Sequence, residues 1–456
     1  MANKHLLTAY AKITASQQLY YSPVVELPQI GVPLATIYCF LSKVDPWDNE
    51  SDPVTPTQDQ KTIKQVFKNM FVAKQIYSSD MANVIERIDW TSGTTYDYYR
   101  DDVDMFAVDT NGSLIKKFYV KNKYDQVFKC LWNANGAAST NEPYFEPGSY
   151  GTNNIYQGPD GYKWKYMYTI DSGLKIKFMD KNWIPVPIIG TSPNPLLSSA
   201  GAGDIEVINV LSGGSGYDTS NSVISVSITG DGTGATATAN VVNGVVRDII
   251  VTNPGTNYTY ANASIVSTPS LGSGCSLIAP TSPIAGHGFD AVGEFGVSRV
   301  MVSVNFSGSE NGVLPTDIDF HQLGIVINPT SIQNSPYPAT GSIYKTSTDL
   351  VVAPGFGTYA MDEVVYQGNT LETATFTAKV LSFDVASNVL KLINITGTPT
   401  TDASVFGNTS KTARTLLNYS VPDFQIFSGY IVYIENRSAV QRSSDGTEQF
   451  KFVLGY

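Results

Sequence analysis

The chain has 456 residues, of which 42% are hydrophobic and only 15% charged, and its formal net charge is −11. That length suits two or three domains, and the apolar fraction excludes a chain too polar to collapse. The acidic balance argues against non-specific binding to nucleic acid or to an anionic membrane.

Met1-Ala2-Asn3-Lys4-His5 leads into a mixed polar segment without the apolar core of a secretory signal. No run of about 18 apolar residues predicts a membrane span. Leu6, Tyr10, Ile13 and Leu19 predict a short helix, and residues 34–41 read as a buried strand. Asp45, Asp48, Glu50, Asp52 and Asp59 then surround Trp47. Several carboxylates suit a hard cation, but the spacing is not an EF-hand's and Pro46 and Pro53 interrupt it, so a solvated loop is expected. The spacing next predicts an amphipathic helix near 57–76. Thr57-Gln-Asp-Gln60 has the form of a capping box. Ile63, Val66, Phe67, Met70 and Phe71 fall on one face, with Lys61, Lys64 and Lys68 on the other.

From about 84 to 190 the pattern is one of short strands. Phe118 and Val120 alternate with Lys117, Tyr119 and Lys121; Trp164, Tyr166, Tyr168 and Ile170 alternate with Lys163, Lys165 and Thr169. Lys116, Lys117, Lys121, Lys123 and Lys129, interleaved with aromatics, have the form of a nucleic-acid face. The acidic net charge favours the solvated side of alternating strands instead. Asp101, Asp102 and Asp104 read as surface loop. Ile184-Pro185-Val186-Pro187 reads as a linker or edge strand, since proline cannot donate to a ladder.

Composition shifts near 190: residues 191–285 hold only about six charged residues among Gly, Ser, Thr, Ala and Val. Residues 208–217 recur weakly as 249–258, and Asn243-Gly244 between Val-rich runs predicts a hairpin. Gly230-Asp-Gly232-Thr-Gly234 is followed by strand-like residues rather than a helix, so it reads as a turn and not a phosphate site. Strands follow near 297–306 and 320–328. A second compact β segment lies within 363–395, and two strands, 430–435 and 449–454, end the chain, joined across 443–446.

The three cysteines (Cys39, Cys130, Cys275) and three histidines (His5, His287, His321) are scattered. They predict free, mostly buried thiols, no disulfide framework and no metal site. No nucleophile elbow appears, so no catalytic residue and no cofactor are expected, and the chain is not read as an enzyme. The expected fold is mainly β with a few helices (α+β). A β-sandwich core is built from 1–190, 286–334 and 421–456. Two small all-β modules, 191–285 and 335–420, are inserted in it and are expected to be dispensable for its folding.

Several motifs recur in order along the chain: Asp45-Pro46-Trp47, Pro56-Thr57 opening a helix, and residues 84–90 ending in Trp90. They continue with Gly161-Tyr162-Lys163-Trp164-Lys165-Tyr166, residues 184–187, residues 320–329, and residues 428–437 followed by Thr447-Glu448. Together they resemble the baseplate wedge subunit of contractile-tailed bacteriophages, the family called gene product eight. The likeness covers roughly 1–190, 290–330 and 426–456. It implies a non-enzymatic structural part of the virion tail baseplate, assembled in the host cytoplasm. Its implied partners are a second copy of itself, as a homodimer, and other baseplate wedge proteins, with no nucleic acid and no membrane insertion. Its role would be to pass conformational change toward sheath contraction. Trp47, Trp90, Trp164, Tyr166, Glu435 and Arg437 are the expected structural or interface residues, Arg437 pairing with a carboxylate such as Asp89 or Glu435. Two alternatives remain open. One is a trimeric receptor-binding or tail-fibre protein that adheres to host glycans. The other is a tail enzyme that degrades polysaccharide with an Asp/Glu pair.

Overall fold

The computed structural model describes residues 8–21, 26–27, 32–33, 35–146, 154–188, 203–283, 286–332, 338–444 and 446–455. Leu6, the composition break near 190 and Asp445 lie outside them. The fold is mainly β: among the described residues there are 27 strands and four α-helices. The chain divides into two compact units, one of Met1–Gln18, Ala82–Met301 and Val453–Tyr456, the other of Leu19–Met81 and Val302–Phe452.

Unit one contains a sheet in the order Tyr119–Lys121, Gln126–Asn133, Tyr162–Thr169, Ile155–Gln157. Both faces of its central strands are buried. Trp183–Val186 is an outer strand, paired with residues 83–86, which places Pro185 where a missing donor is tolerated. The helix Ala9–Tyr21 sends Ile13 into the core of this unit, and the Ser16 hydroxyl donates to Val297 O at 3.3 Å.

Residues 203–283 form three antiparallel ladders: Asn209–Ser215 with Ser273–Ile278, Val223–Gly230 with Ala261–Thr268, and Thr236–Val242 with Val245–Asn253. Asn243 (φ 52°) and Gly244 (φ 76°) make the turn of the last, the two positive φ angles a tight hairpin requires. The sequence repeat has a structural counterpart. Tyr217 and Tyr258 end the two copies, both are buried in one apolar cluster, and both hydroxyls accept a backbone N–H at 3.3 Å, from Cys275 and Ala235.

Unit two is built on a five-stranded sheet in the order Ile343–Lys345, Met70–Ile76, Ile37–Ser42, Asp319–Ile327, Tyr430–Gln441. One face carries the amphipathic helix, which buries Val66 and Phe67 with Tyr38, Phe40 and Val326. The other face packs as a sandwich on residues 302–307 and 447–452. Phe320 meets Phe450 at 5.9 Å, and Tyr433 stacks on Phe452 at 5.2 Å. The final two strands are therefore neighbours in sequence but belong to different sheets. Residues 348–420 close a six-stranded barrel around Leu350, Val365, Phe376, Val380, Leu392 and Leu416.

The helix is shorter than its periodicity predicts. It runs Gln60–Asn69, its N-cap is Asp59 rather than Thr57, and Met70–Ile76 is a strand. Asp59 Oδ1 accepts from Thr62 N at 2.9 Å, which satisfies a first-turn donor that Thr57 does not reach. Met70 and Phe71 continue the apolar spacing of the helix, but Met70 to Ala73 are all buried, which a central strand accommodates and one helix face does not.

Gly324, in the 320–329 motif, sits in the second strand of this sheet from its edge. A Cβ there would collide with Tyr433 O and the Phe40 ring. Gly324→Ala is expected to lower stability by about 2–3 kcal/mol through overpacking. The check is the urea dependence of hydrogen exchange in Asp319–Ile327, and unchanged protection would refute the crowding argument.

Candidate functional site

Of the lysines expected on a solvated strand face, Lys117 and Lys123 are exposed and Lys116 is partly exposed, but Lys121 and Lys129 are buried. Lys129 and Lys165, and with them Lys121 and Lys163, are buried in unit one. Lys129 Nζ lies 2.8 Å from Glu294 Oε2 and 3.1 Å from His287 Nδ1, above the Tyr99 ring at 4.2 Å. Lys165 pairs with Glu206 at 2.6 Å, and Lys163 with Asp248 at 2.8 Å. His287 N–H donates to Glu206 Oε1 at 3.2 Å, joining two of these pairs. Burial works against the Glu294 charge, but Lys129 and His287 outweigh it and hold its pKa down to about 2. Burial, reinforced by Lys129, pushes His287 down to about 3, so its ring is neutral at pH 7.

Two of these carboxylates, Glu206 and Asp248, belong to the Gly/Thr-rich segment. That segment also receives Asn135, whose Nδ2 donates to Val210 O at 3.1 Å, and its Asn209 Nδ2 donates to Leu131 O at 3.0 Å. It therefore covers one face of the sheet and neutralises Lys163 and Lys165. Removing 203–283 would strand those lysines, so the structure argues against its being dispensable.

The six residues expected at structural or interface positions fall into two sets. In unit one, Trp164 is fully buried, stacked on Tyr162 at 5.4 Å and edge-on to Tyr96 at 5.5 Å. Its indole Nε1 has no hydrogen-bond partner among the described residues. Tyr166 stacks on Phe145 at 4.0 Å and its hydroxyl is 2.9 Å from Thr169 Oγ1. Trp90 packs on the same cluster and donates to Ser139 Oγ at 3.0 Å.

In unit two, Trp47 Nε1 donates to Arg437 O at 2.7 Å. Arg437 Nε lies 2.6 Å from Glu435 Oε1, and its guanidinium sits over Phe450 at 5.4 Å. Of the two carboxylates expected for Arg437, Glu435 is the partner. Both side chains are about a third exposed, so the pair contributes under about 1 kcal/mol.

The acidic loop has a defined role that its composition does not reveal. Glu50 accepts from Trp47 N at 2.8 Å and from Ala439 N at 2.9 Å, and faces His321 Nε2 at 3.1 Å. Ser438 Oγ donates to Glu50 O, and Asn436 Nδ2 to Val54 O at 2.8 Å. The loop thus clasps the outer edge of the sheet at residues 436–439. Among the described residues no group of three or more His, Cys, Asp or Glu side chains is placed to hold a metal ion.

Beyond that clasp lies a groove of about 900 Å³ between the helix Gln60–Asn69 and residues 430–434. Ile63, Phe67, Ile431 and Ile434 line it, and Lys64 is the one charged residue in its lining. Nothing in the sequence pattern marks this groove. Its two walls are more than 360 residues apart, and Val432 is simply one more apolar residue in a strand.

No protein-family model and no curated protein matches this sequence.

Proposed function

We propose that this chain is a non-enzymatic structural subunit of a contractile-tail baseplate wedge, as its motifs suggest. One observation supports the reading most directly. Asp45-Pro46-Trp47 and residues 428–437, two of the motifs that carry the resemblance, meet through the Trp47–Arg437 hydrogen bond across 390 residues of sequence. Motifs brought together as one fastening are what a shared scaffold requires. Trp90, Trp164 and Tyr166 serve as packing residues of unit one, Trp90 and Tyr166 with hydrogen bonds as well. The expected partners are a second copy and neighbouring wedge proteins, in the virion tail.

The test is the solution mass of the purified chain by light scattering. Twice the chain mass is expected. A trimer would move the reading to a receptor-binding spike that adheres to glycans. The stronger check is quantitative proteomics of purified tail particles, where absence of the chain would overturn the proposal.

A further inference from the structure

We propose that the groove between the helix Gln60–Asn69 and residues 430–434 receives an extended, apolar segment of another protein that carries an acidic residue. The inference stands independently of the baseplate reading.

Four observations converge on it. First, among the described residues Tyr430–Gln441 is the outermost strand of its sheet and pairs only with Asp319–Ile327. The loop around Glu50 covers it at 436–439, and no described strand pairs with its outer edge at 430–434. Such an edge is a template for an added strand. Second, the rim is apolar and open: Phe427 is 53% exposed, Tyr430 74% and Val432 50%. Clustered exposed apolar side chains beside a groove mark an interaction surface rather than scattered surface residues. Third, Phe427 has φ 69°, a conformation unfavourable for a bulky side chain. It holds the ring edge-on to Phe67 at 5.9 Å while half of it stays exposed at the groove mouth. Fourth, the one charged side chain in the groove lining is positive, in an otherwise acidic chain. Lys64 lines it without an acidic neighbour in the lining.

That charge selects the occupant. If a second copy added the same edge, it would present residues 428–434, Ser-Gly-Tyr-Ile-Val-Tyr-Ile, and the next residue, Glu435, is already held by Arg437 and by the Tyr433 hydroxyl. A different segment, with apolar residues for the groove and an acidic residue for Lys64, satisfies both walls. The register shift that leaves Val432 without a partner across the ladder limits strand pairing to a short stretch. Side-chain burial in the groove must therefore supply much of the affinity.

The test uses the full chain and a fluorescent peptide of alternating valine and threonine with a central glutamate, compared with its twin carrying lysine at that position. The glutamate peptide is expected to bind about tenfold more tightly in fluorescence anisotropy. It should also slow hydrogen exchange of the 430–434 amides. Lys64→Glu, an exposed substitution on the helix, is expected to reverse the preference, and Val432→Lys to abolish binding. Equal binding of the two peptides, a preference unmoved by Lys64→Glu, or no protection at 430–434 would each overturn the proposal. So would protection that appears on raising the protein concentration alone, because the occupant would then be a second copy.

Discussion

Replacing Lys129 with methionine is expected to destabilise unit one by about 3–5 kcal/mol, the range for breaking a buried ion pair from one side. The two charges are almost completely removed from water: the side chains of Lys129 and Glu294 are 0% and 3% exposed. Glu294 Oε1 still accepts from Gly288 N, but a buried carboxylate without its cation keeps most of its desolvation cost. The decisive comparison is the double variant Lys129→Met with Glu294→Gln. Glutamine keeps an acceptor for Gly288 and carries no charge, so the double variant should recover about 2 kcal/mol relative to Lys129→Met alone. Urea-dependent hydrogen exchange in Gln126–Asn133 reads this unit without assuming that the whole chain unfolds in one step. If the single and double variants are equally destabilised, the damage is a packing defect and the ion pair contributes little.

The Gly/Thr-rich segment supplies the carboxylates of two further buried pairs. Deleting 203–283 takes Glu206 from Lys165 and Asp248 from Lys163 at once. It is expected to give an insoluble or molten unit one, not a trimmed core. A soluble product with native hydrogen-exchange protection in Tyr162–Thr169 would show that those lysines simply become solvated.

What could be read from the sequence follows from what the relevant physics leaves in local pattern. Strand-rich architecture is legible because alternation and turn chemistry are local: Asn243-Gly244 makes the hairpin its residues require. The helix near Ile63 is legible for the same reason. Its end is not, because Met70 and Phe71 satisfy the helical spacing while the sheet that claims them is completed by residues 319–327 and 430–441. The buried lysines were hidden by a related ambiguity. Lysine alternating with aromatics means one exposed face only if nothing covers that face, and the cover arrives from residues some 40 to 165 positions further on. The clasp of Glu50 on Ala439 is hidden likewise: five acidic residues in a loop look solvated until a backbone edge is placed beside them. Trp47 and Arg437 were picked out by resemblance, and their direct hydrogen bond is geometry that no local pattern encodes. The groove beside Lys64 left no signal of any kind, since it is a space and not a segment.

The His287 contribution to the stability of unit one should fall as pH drops from about 6.5. His287 is fully buried beside Lys129 and Glu294, with the Tyr99 ring edge-on at 4.7 Å and Glu206 on its backbone N–H. Burial and the Lys129 charge depress its pKa to about 3, against 6.5 in the unfolded chain. Between those values the unfolded chain binds a proton that the folded chain does not, so this contribution rises with pH in the window. The contribution is complete above about pH 6.5 and is lost at up to about 1.4 kcal/mol per pH unit on acidification. Glu294, held down to about 2, adds a loss of the same sign below about pH 4.5. Glu206 acts oppositely. Burial raises its pKa, so its contribution is lost as pH rises through that raised value, with a slope opposite in sign to the histidine's. The difference in slope between the wild type and a variant without this imidazole, from pH 5.5 to 6.5, therefore isolates the histidine. His287→Gln keeps an acceptor for Lys129 but cannot titrate, and it should flatten the slope there while lowering stability at pH 7 by only about 1–2 kcal/mol. Hydrogen exchange of Gln126–Asn133 at fixed urea across this pH range, corrected for the intrinsic exchange rate, measures the slope. A wild-type slope that survives His287→Gln would place the titrating group elsewhere.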